Sequence, residues 1–312
     1  MKRFLILVSF FLLPILVAYI LLSLFVIPSL IEKTDGPNTA AQIIGSFNNA
    51  QSKDYDLLIL GNSGTYRGFN PDEFSIPTYN FSHDNDSYNQ IYYKLKYLKS
   101  KGKKFKYLLL GVDYFQFSFI ADTKNYLYAD LLGEEYSRDY DLNKLDIFLQ
   151  KTNLLEFTRI EYLKNIFKDR QTDIYVKENG QYIKPGNAKS DDARDYSIDR
   201  LPLQEHYFKE ILAFCKEEKI PVFLCMLPSR SNAVVNYSEA QIKEFNEFIQ
   251  DHLSDSVRLL DYSRQEGWSL SDYTDIVHLN AAAADRFSKQ VSDSIQSLIK
   301  LKSDQQEVGL SF

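Results

Sequence analysis

The sequence predicts an α/β fold, a parallel sheet of five strands with helices on both faces, preceded by one transmembrane helix. Two observations carry this. Short apolar runs alternate with stretches whose apolar positions recur at helical spacing, and such alternation builds βαβ units around a parallel sheet. Ahead of them, Lys2 and Arg3 introduce an uncharged, almost wholly apolar run over residues 4–27.

As a helix that run would extend roughly 36 Å at about 1.5 Å per residue, enough for a hydrocarbon core of about 30 Å. A cleavable signal peptide has an apolar region of only ~7–15 residues and a small-x-small cleavage site. This run is longer and no such site follows it, so it reads as an uncleaved single-pass anchor in the cytoplasmic membrane, the alternative being a removed signal peptide with a long apolar region. Lys2 and Arg3 then stay cytoplasmic and the rest of the chain is extracytoplasmic. The expected organisation is an anchor at 1–28, a juxtamembrane connector at 29–53, an α/β domain at 54–300 with an insertion at about 114–200, and a loose tail at 301–312.

The elements follow in order. The connector carries a short helix at 40–48. "YDLLIL" (55–60) is the first strand and "TYNFS" (78–82) a short second one. Residues 86–100 form a helix closed by "KGKK". "FKYLLLGVD" (105–113) is the most apolar strand and is expected at the sheet centre. A helix at 203–219 leads to "IPVFLCML" (220–227), stopped by Pro228. A helix at 238–253 starts with Ser238 and Gln241 spaced as a capping box, "SVRLLDY" (256–262) is the fifth strand, and a helix at 280–299 closes the domain. Residues 114–200 interrupt the alternation, with helix-like pieces at 142–150 and 154–167 and a polar loop at 184–199. An insertion that long is a lid, a substrate platform or a packing decoration.

A net charge of −6 argues against a nucleic-acid partner. Tyr and Phe at 22 each suit a thick core and also carbohydrate-stacking surfaces. Cys215 and Cys225 are too few for a disulfide framework, have no metal-ligand spacing and read as buried thiols. "HDNDSYN" lacks the third oxygen ligand and the glycine of a calcium loop, and Gly61, Gly64 and Gly68 do not form a dinucleotide pattern. No metal or organic cofactor is expected.

The chemistry gathers where strands end. In "LGNSG" a buried strand delivers Ser63 between small residues, on the edge where parallel sheets bind ligands. A serine hydroxyl needs a base, usually a histidine oriented by a carboxylate. Of four histidines, His206 and His252 fall in helical patterns, His83 follows the second strand, and His278 sits in "SDYTDIVHLN" just before the last helix. Asp275, three residues earlier, can reach its imidazole in a turn. Ser63, His278 and Asp275 thus make a candidate triad joined only by the fold. The plainer readings are that Ser63 is a turn residue, Asp275 a cap and His278 a packing residue. Arg67, four residues past Ser63, either holds an anionic substrate group or is structural.

Gly61-Asn62-Ser63 after the first strand, with Asp275-Ile276-Val277-His278 near the end, resembles the SGNH (GDSL-type) hydrolase superfamily over residues 55–299. The anchor and the surroundings "GNSGTYRGFNP" and "HLN" resemble exported members associated with envelope polysaccharide acylation. The resemblance implies a three-layer α/β/α, flavodoxin-like fold, with Ser63 as nucleophile, His278 as base and Asp275 as its orienting partner. Three departures stand out. Asn62 replaces the aspartate of the first block, "NFSHDND" lacks the glycine of the second, and Asp113 replaces the oxyanion-binding asparagine of the third. Losing one such donor costs ~10²–10³ in rate. Ser63 and Ser82 N–H groups remain as donors, and a slow or specialised acyl transferase fits better than a fast esterase.

The expected function is therefore serine-dependent ester hydrolysis or O-acyl (acetyl) transfer on an envelope polysaccharide. Expected partners are the membrane, an acylated glycan and a membrane-bound acyltransferase. The alternative is a non-catalytic scaffold or glycan-binding subunit of an acyltransferase or export complex.

Overall fold

The computed structural model describes residues 1–30, 39–120, 124–152, 173–188, 199–228, 238–275 and 277–309. In chain order the elements are α1 (Lys2–Leu21), α2 (Ala40–Ser52), β1 (Leu57–Leu60), α3 (Ser63–Gly68), β2 (Thr78–Asn80), α4 (Tyr88–Ser100) and β3 (Tyr107–Gly111). Next come α5 (Asn125–Leu132), α6 (Glu134–Asp139), α7 (Lys144–Lys151), β4 (Tyr175–Val176) and β5 (Tyr182–Ile183). The last are α8 (Pro202–Glu217), β6 (Val222–Met226), α9 (Glu239–Gln250), β7 (Val257–Asp261) and α10 (Ala281–Gly309).

The chain forms two compact units, Met1–Gln42 with Asp122–Thr172, and Ile43–Ala121 with Asp173–Phe312. In the first, α1 runs on through a π-helical turn at Leu22–Val26, and the helical span Lys2–Leu30 is long and apolar enough to cross a membrane. The same unit holds α5 to α7. Gly133, at φ +92°, separates α5 from α6, and the buried Tyr136 hydroxyl donates to Asn125 Oδ1 at 2.5 Å. The helix expected at 142–150 is α7, whereas the piece expected at 154–167 lies outside the described residues.

The second unit is built on a five-stranded, all-parallel sheet in the order β2-β1-β3-β6-β7. β3 is central, as its apolar sequence predicts, and every residue of β1 and β6 is buried. Alternate residues face opposite layers. Leu57, Ile59, Leu109, Phe223, Cys225 and Leu260 meet Ala283, Ala284, Phe287, Val291 and Ile295 of α10 in one core. On the other side α8 packs along α4. Cys215 and Cys225 are free and buried, and burial pushes the Cys215 thiol up to about 12.

Helix ends follow the expected chemistry. Ser238 and Gln241 form the capping box of α9, and Ser87 with Gln90 forms another on α4. Helix α2 docks by a stripe of Ile43, Ser46, Phe47 and Ala50, spaced for one helical face. Two readings change. Residues 301–309 of the stretch expected as a loose tail are helical, because α10 continues to Gly309, and 310–312 lie outside the described residues. Within the insertion, β4 and β5 form an antiparallel hairpin, turned at Gly180 with φ +93°. Its backbone joins the domain where Asn80 N–H donates to Asn179 O at 3.0 Å.

The strand order reverses between β1 and β3: the first crossover leads to one side of β1, and every later one to the other. Ligand sites of open parallel sheets form at such a point, beyond the carboxyl ends. Here those ends are Gly61 and Gly111, and the buried Thr65 is wedged against both. A Cβ at Gly111 would overlap Thr65 Oγ1. Gly111→Ala is expected to lower stability by roughly 1–3 kcal/mol through overpacking. The loss should shrink markedly in a Thr65→Ala background, measured as urea midpoints of the four proteins.

Candidate active site

Helix α3 begins at Ser63 because Asn62 caps it. The Asn62 Oδ1 accepts from Gly64 N–H at 2.9 Å. So short a helix leaves its last carbonyls open, and Asn80 at the end of β2 answers them, its Nδ2 donating to Thr65 O at 3.1 Å and Phe69 O at 3.3 Å. Asn70 of "FNP" ties the exit of α3 to α10: its N–H donates to Ser288 Oγ and its Nδ2 to Asp285 Oδ1, both at 2.7 Å. Ser63 is thereby fixed at the sheet edge, partly exposed.

The facing segment lies between β7 and α10. A Tyr273–Leu279 bridge and the Thr274 N–H to His278 O bond at 2.8 Å fold it into a tight loop. Inside that loop Asp275 Oδ1 accepts from Val277 N–H at 3.2 Å and His278 N–H at 3.1 Å. It also lies 2.7 Å from His278 Nδ1, while His278 Nε2 lies 2.8 Å from Ser63 Oγ. The carboxylate accepts a hydrogen bond from Nδ1–H, which leaves the Nε2 lone pair to accept from the serine hydroxyl. Ser63, His278 and Asp275 thus meet in one hydrogen-bonded line. Burial alone would raise the Asp275 carboxyl, but the hydrogen bond and charge of His278, with the two N–H groups, hold it well below the usual carboxylate range.

Of the two roles open to Arg67, holding an anionic substrate group or serving the structure, its contacts fit the second. Its Nη2 donates to Asp84 Oδ2 at 2.7 Å, and its Nη1 lies 3.4 Å from Asp275 Oδ2 and 3.2 Å from His278 Nδ1. With Nδ1–H donating to Asp275 Oδ1, Nδ1 has no lone pair for Arg67, and the Nη1 hydrogen goes to Asp275 Oδ2. The guanidinium also lies 4.5 Å from the centroid of the Tyr182 ring, on β5 of the insertion. Two carboxylates already meet its charge, so Arg67 supports the triad and is not a free anion site. Lys184 is a second cation at this carboxylate, 3.8 Å from Asp275 Oδ2.

The departures in the first and third blocks are partners in one bond. Asn62 Nδ2 donates to Asp113 Oδ2 at 2.9 Å, and Asp113 Oδ1 accepts from Gln116 N–H at 2.7 Å. Burial pushes the Asp113 carboxyl up against the lowering effect of these donors. Its oxygens therefore hold Asn62 and the Gln116 N–H, in place of the oxyanion or substrate contact considered for Asp113. At Ser82, which is fully buried, the N–H expected as a second donor is already engaged, donating to Asn80 Oδ1 at 3.1 Å. The loop after β2 nevertheless has a left-handed residue of the kind glycine supplies, Asn85 at φ +58°.

His83 stands apart from this line and is buried. The Ser46 hydroxyl donates to Ile43 O at 2.7 Å, so it accepts from His83 Nε2–H at 2.6 Å, and His83 Nδ1 accepts from Lys94 Nζ at 3.0 Å. With its proton on Nε2 this imidazole cannot deprotonate Ser46.

Asp84, Tyr182 and Lys184 are the site residues sequence reasoning missed. The segment at 229–237, which follows β6 in sequence, lies outside the described residues. A scan against protein-family models finds no match, and a search of curated proteins finds no significant relative.

Two expectations follow. Asn62→Asp sets a second carboxylate against Asp113 and should cost about 2–3 kcal/mol, and the exchanged pair Asn62→Asp/Asp113→Asn should recover part of it in chemical denaturation. The lowered Asp275 carboxyl contributes stability above its unfolded pKa of about 3.9, lost as pH falls through the folded value. Asp275→Asn should therefore flatten the acid limb of thermal midpoint against pH.

Proposed function

We propose that the protein is an extracytoplasmic, membrane-anchored serine ester hydrolase or O-acyl (acetyl) transferase of SGNH type, with a three-layer, flavodoxin-like catalytic domain, acting on an acylated envelope glycan. The observation that carries this reading is the unbroken line from Ser63 Oγ to His278 Nε2 at 2.8 Å and from His278 Nδ1 to Asp275 Oδ1 at 2.7 Å. It is supported by the position of that line at the strand-order reversal, and the membrane reading by the apolar helix over Lys2–Leu30. The glycan and the direction of export rest on the sequence resemblance and on the charges of Lys2 and Arg3.

In the proposed reaction His278 Nε2 accepts the Ser63 proton as Oγ bonds to the acyl carbonyl carbon. Asp275 stabilises the imidazolium, and the proton passes to the departing alkoxide, leaving an acyl-Ser63 ester. A sugar hydroxyl or water, deprotonated by His278, then attacks that ester, and the proton returns to Ser63 Oγ as the bond breaks. The Ser63 N–H is the donor at the oxyanion. With Ser82 N–H engaged and Asp113 holding a carboxylate where the family has an amide, turnover should be slow.

The same two features favour the second reading, a non-catalytic scaffold within an acyltransferase or export complex. A fluorophosphonate probe separates them. Covalent labelling confined to Ser63, absent in Ser63→Ala and about 10³–10⁴-fold slower in Asp275→Asn, is the expected result. Labelling that survives Ser63→Ala, or a folded wild type that never labels, rejects the catalytic reading.

A further inference from the structure

Arg67 hands the triad on to a second structure. Its partner Asp84 lies in the turn at 83–86 that follows β2, and both ends of that turn are clamped. At one end His83 bonds Ser46 of α2 and receives a hydrogen bond from Lys94 of α4. At the other, Lys94 Nζ lies 2.5 Å from Asp86 Oδ2, both side chains wholly buried, and the same ammonium donates to Phe81 O at 2.8 Å. A buried carboxylate–ammonium pair is a poor source of net stability but fixes geometry, since either partner alone is strongly unfavourable. Asn85 crosses between the clamps in a left-handed conformation. Asp84 therefore has little freedom of its own.

The clamp reaches α2, the helix that follows the apolar N-terminal helix in sequence. The Tyr79 hydroxyl donates to Ser46 O at 3.1 Å, so Ser46 is held by both its side chain and its carbonyl. We propose that α2 positions the triad: Ser46 and Lys94 hold His83, Lys94 holds Asp86, Asp84 between them holds Arg67, and Arg67 holds Asp275 against His278. Asp84 and His83 are then positioning residues, and the segment joining the anchor to the domain is part of the catalytic support. The kinetic half of this inference rests on the acyl-transfer reading, whereas the structural half does not.

The test uses the full chain in detergent and two readouts. One is the proton and nitrogen NMR signature of the His278 imidazole, which reports its bond to Asp275 whether or not Ser63 reacts. The other is the rate of fluorophosphonate labelling. Asp84→Asn and Ser46→Ala should each displace the His278 signals and slow labelling by ~10–100-fold, the loss expected of a misplacement of ~1 Å, and Asp84→Glu should restore part of both. Tyr55→Phe is the control, because it removes the hydrogen bond to Ala50 O elsewhere on α2 and should move neither. Unchanged His278 signals in folded Asp84→Asn and Ser46→Ala would overturn the proposal, as would an equal displacement by Tyr55→Phe. Should Asp84→Asn not fold, Ser46→Ala decides. If the signals respond but the wild type never labels, the positioning stands and the acyl-transfer reading falls.

Discussion

Five donors and cations converge on the two oxygens of Asp275, and the arrangement of the site depends on that crowding. Oδ1 serves two backbone N–H groups and the His278 ring, while Oδ2 faces Arg67 and Lys184. The backbone bonds fix the carboxylate within its own loop, so the plane in which the imidazole must lie is set before the distant serine is considered. The cations on the far oxygen keep the charge in place without competing for the near one. An imidazole held on one nitrogen has its other lone pair aimed, and that is how a flexible side chain becomes a directional base.

The opposite half of the site is fixed by close packing. Thr65 sits where two strand ends carry no side chain, so α3 can approach the sheet edge closely and start immediately after β1. The Asn62 amide then works in both directions, accepting at the start of the helix and donating to the third strand's end at Asp113. An amide and a carboxylate therefore face each other across the ends of the first and third strands.

Much of this was legible in the chain. Strong apolar runs revealed all five strands of the main sheet and the centrality of β3, and Ser238 with Gln241 revealed a helix start. Ser63, Asp275 and His278 were legible because a strand end and a local three-residue spacing both leave marks in sequence. The supporting residues left none. Arg67 meets Asp84 across 17 positions, and its aromatic neighbour Tyr182 sits on a strand of two residues, too short to show a period. The α3 helix hid because its signal, a capping asparagine, was read only as a departure from a motif. The tail misled because its polar composition suggested looseness, whereas it prolongs the helix before it.

The separation along the chain between the serine and its imidazole, 215 residues, has a consequence for biogenesis. A ribosome delivers the hydroxyl long before the ring that bonds to it, and the ring is held by the loop that leads into α10, which itself helps to close the core. A nascent or truncated chain thus carries a serine hydroxyl without its imidazole partner. The contact forms only when the last helix seats, so it marks a completed fold.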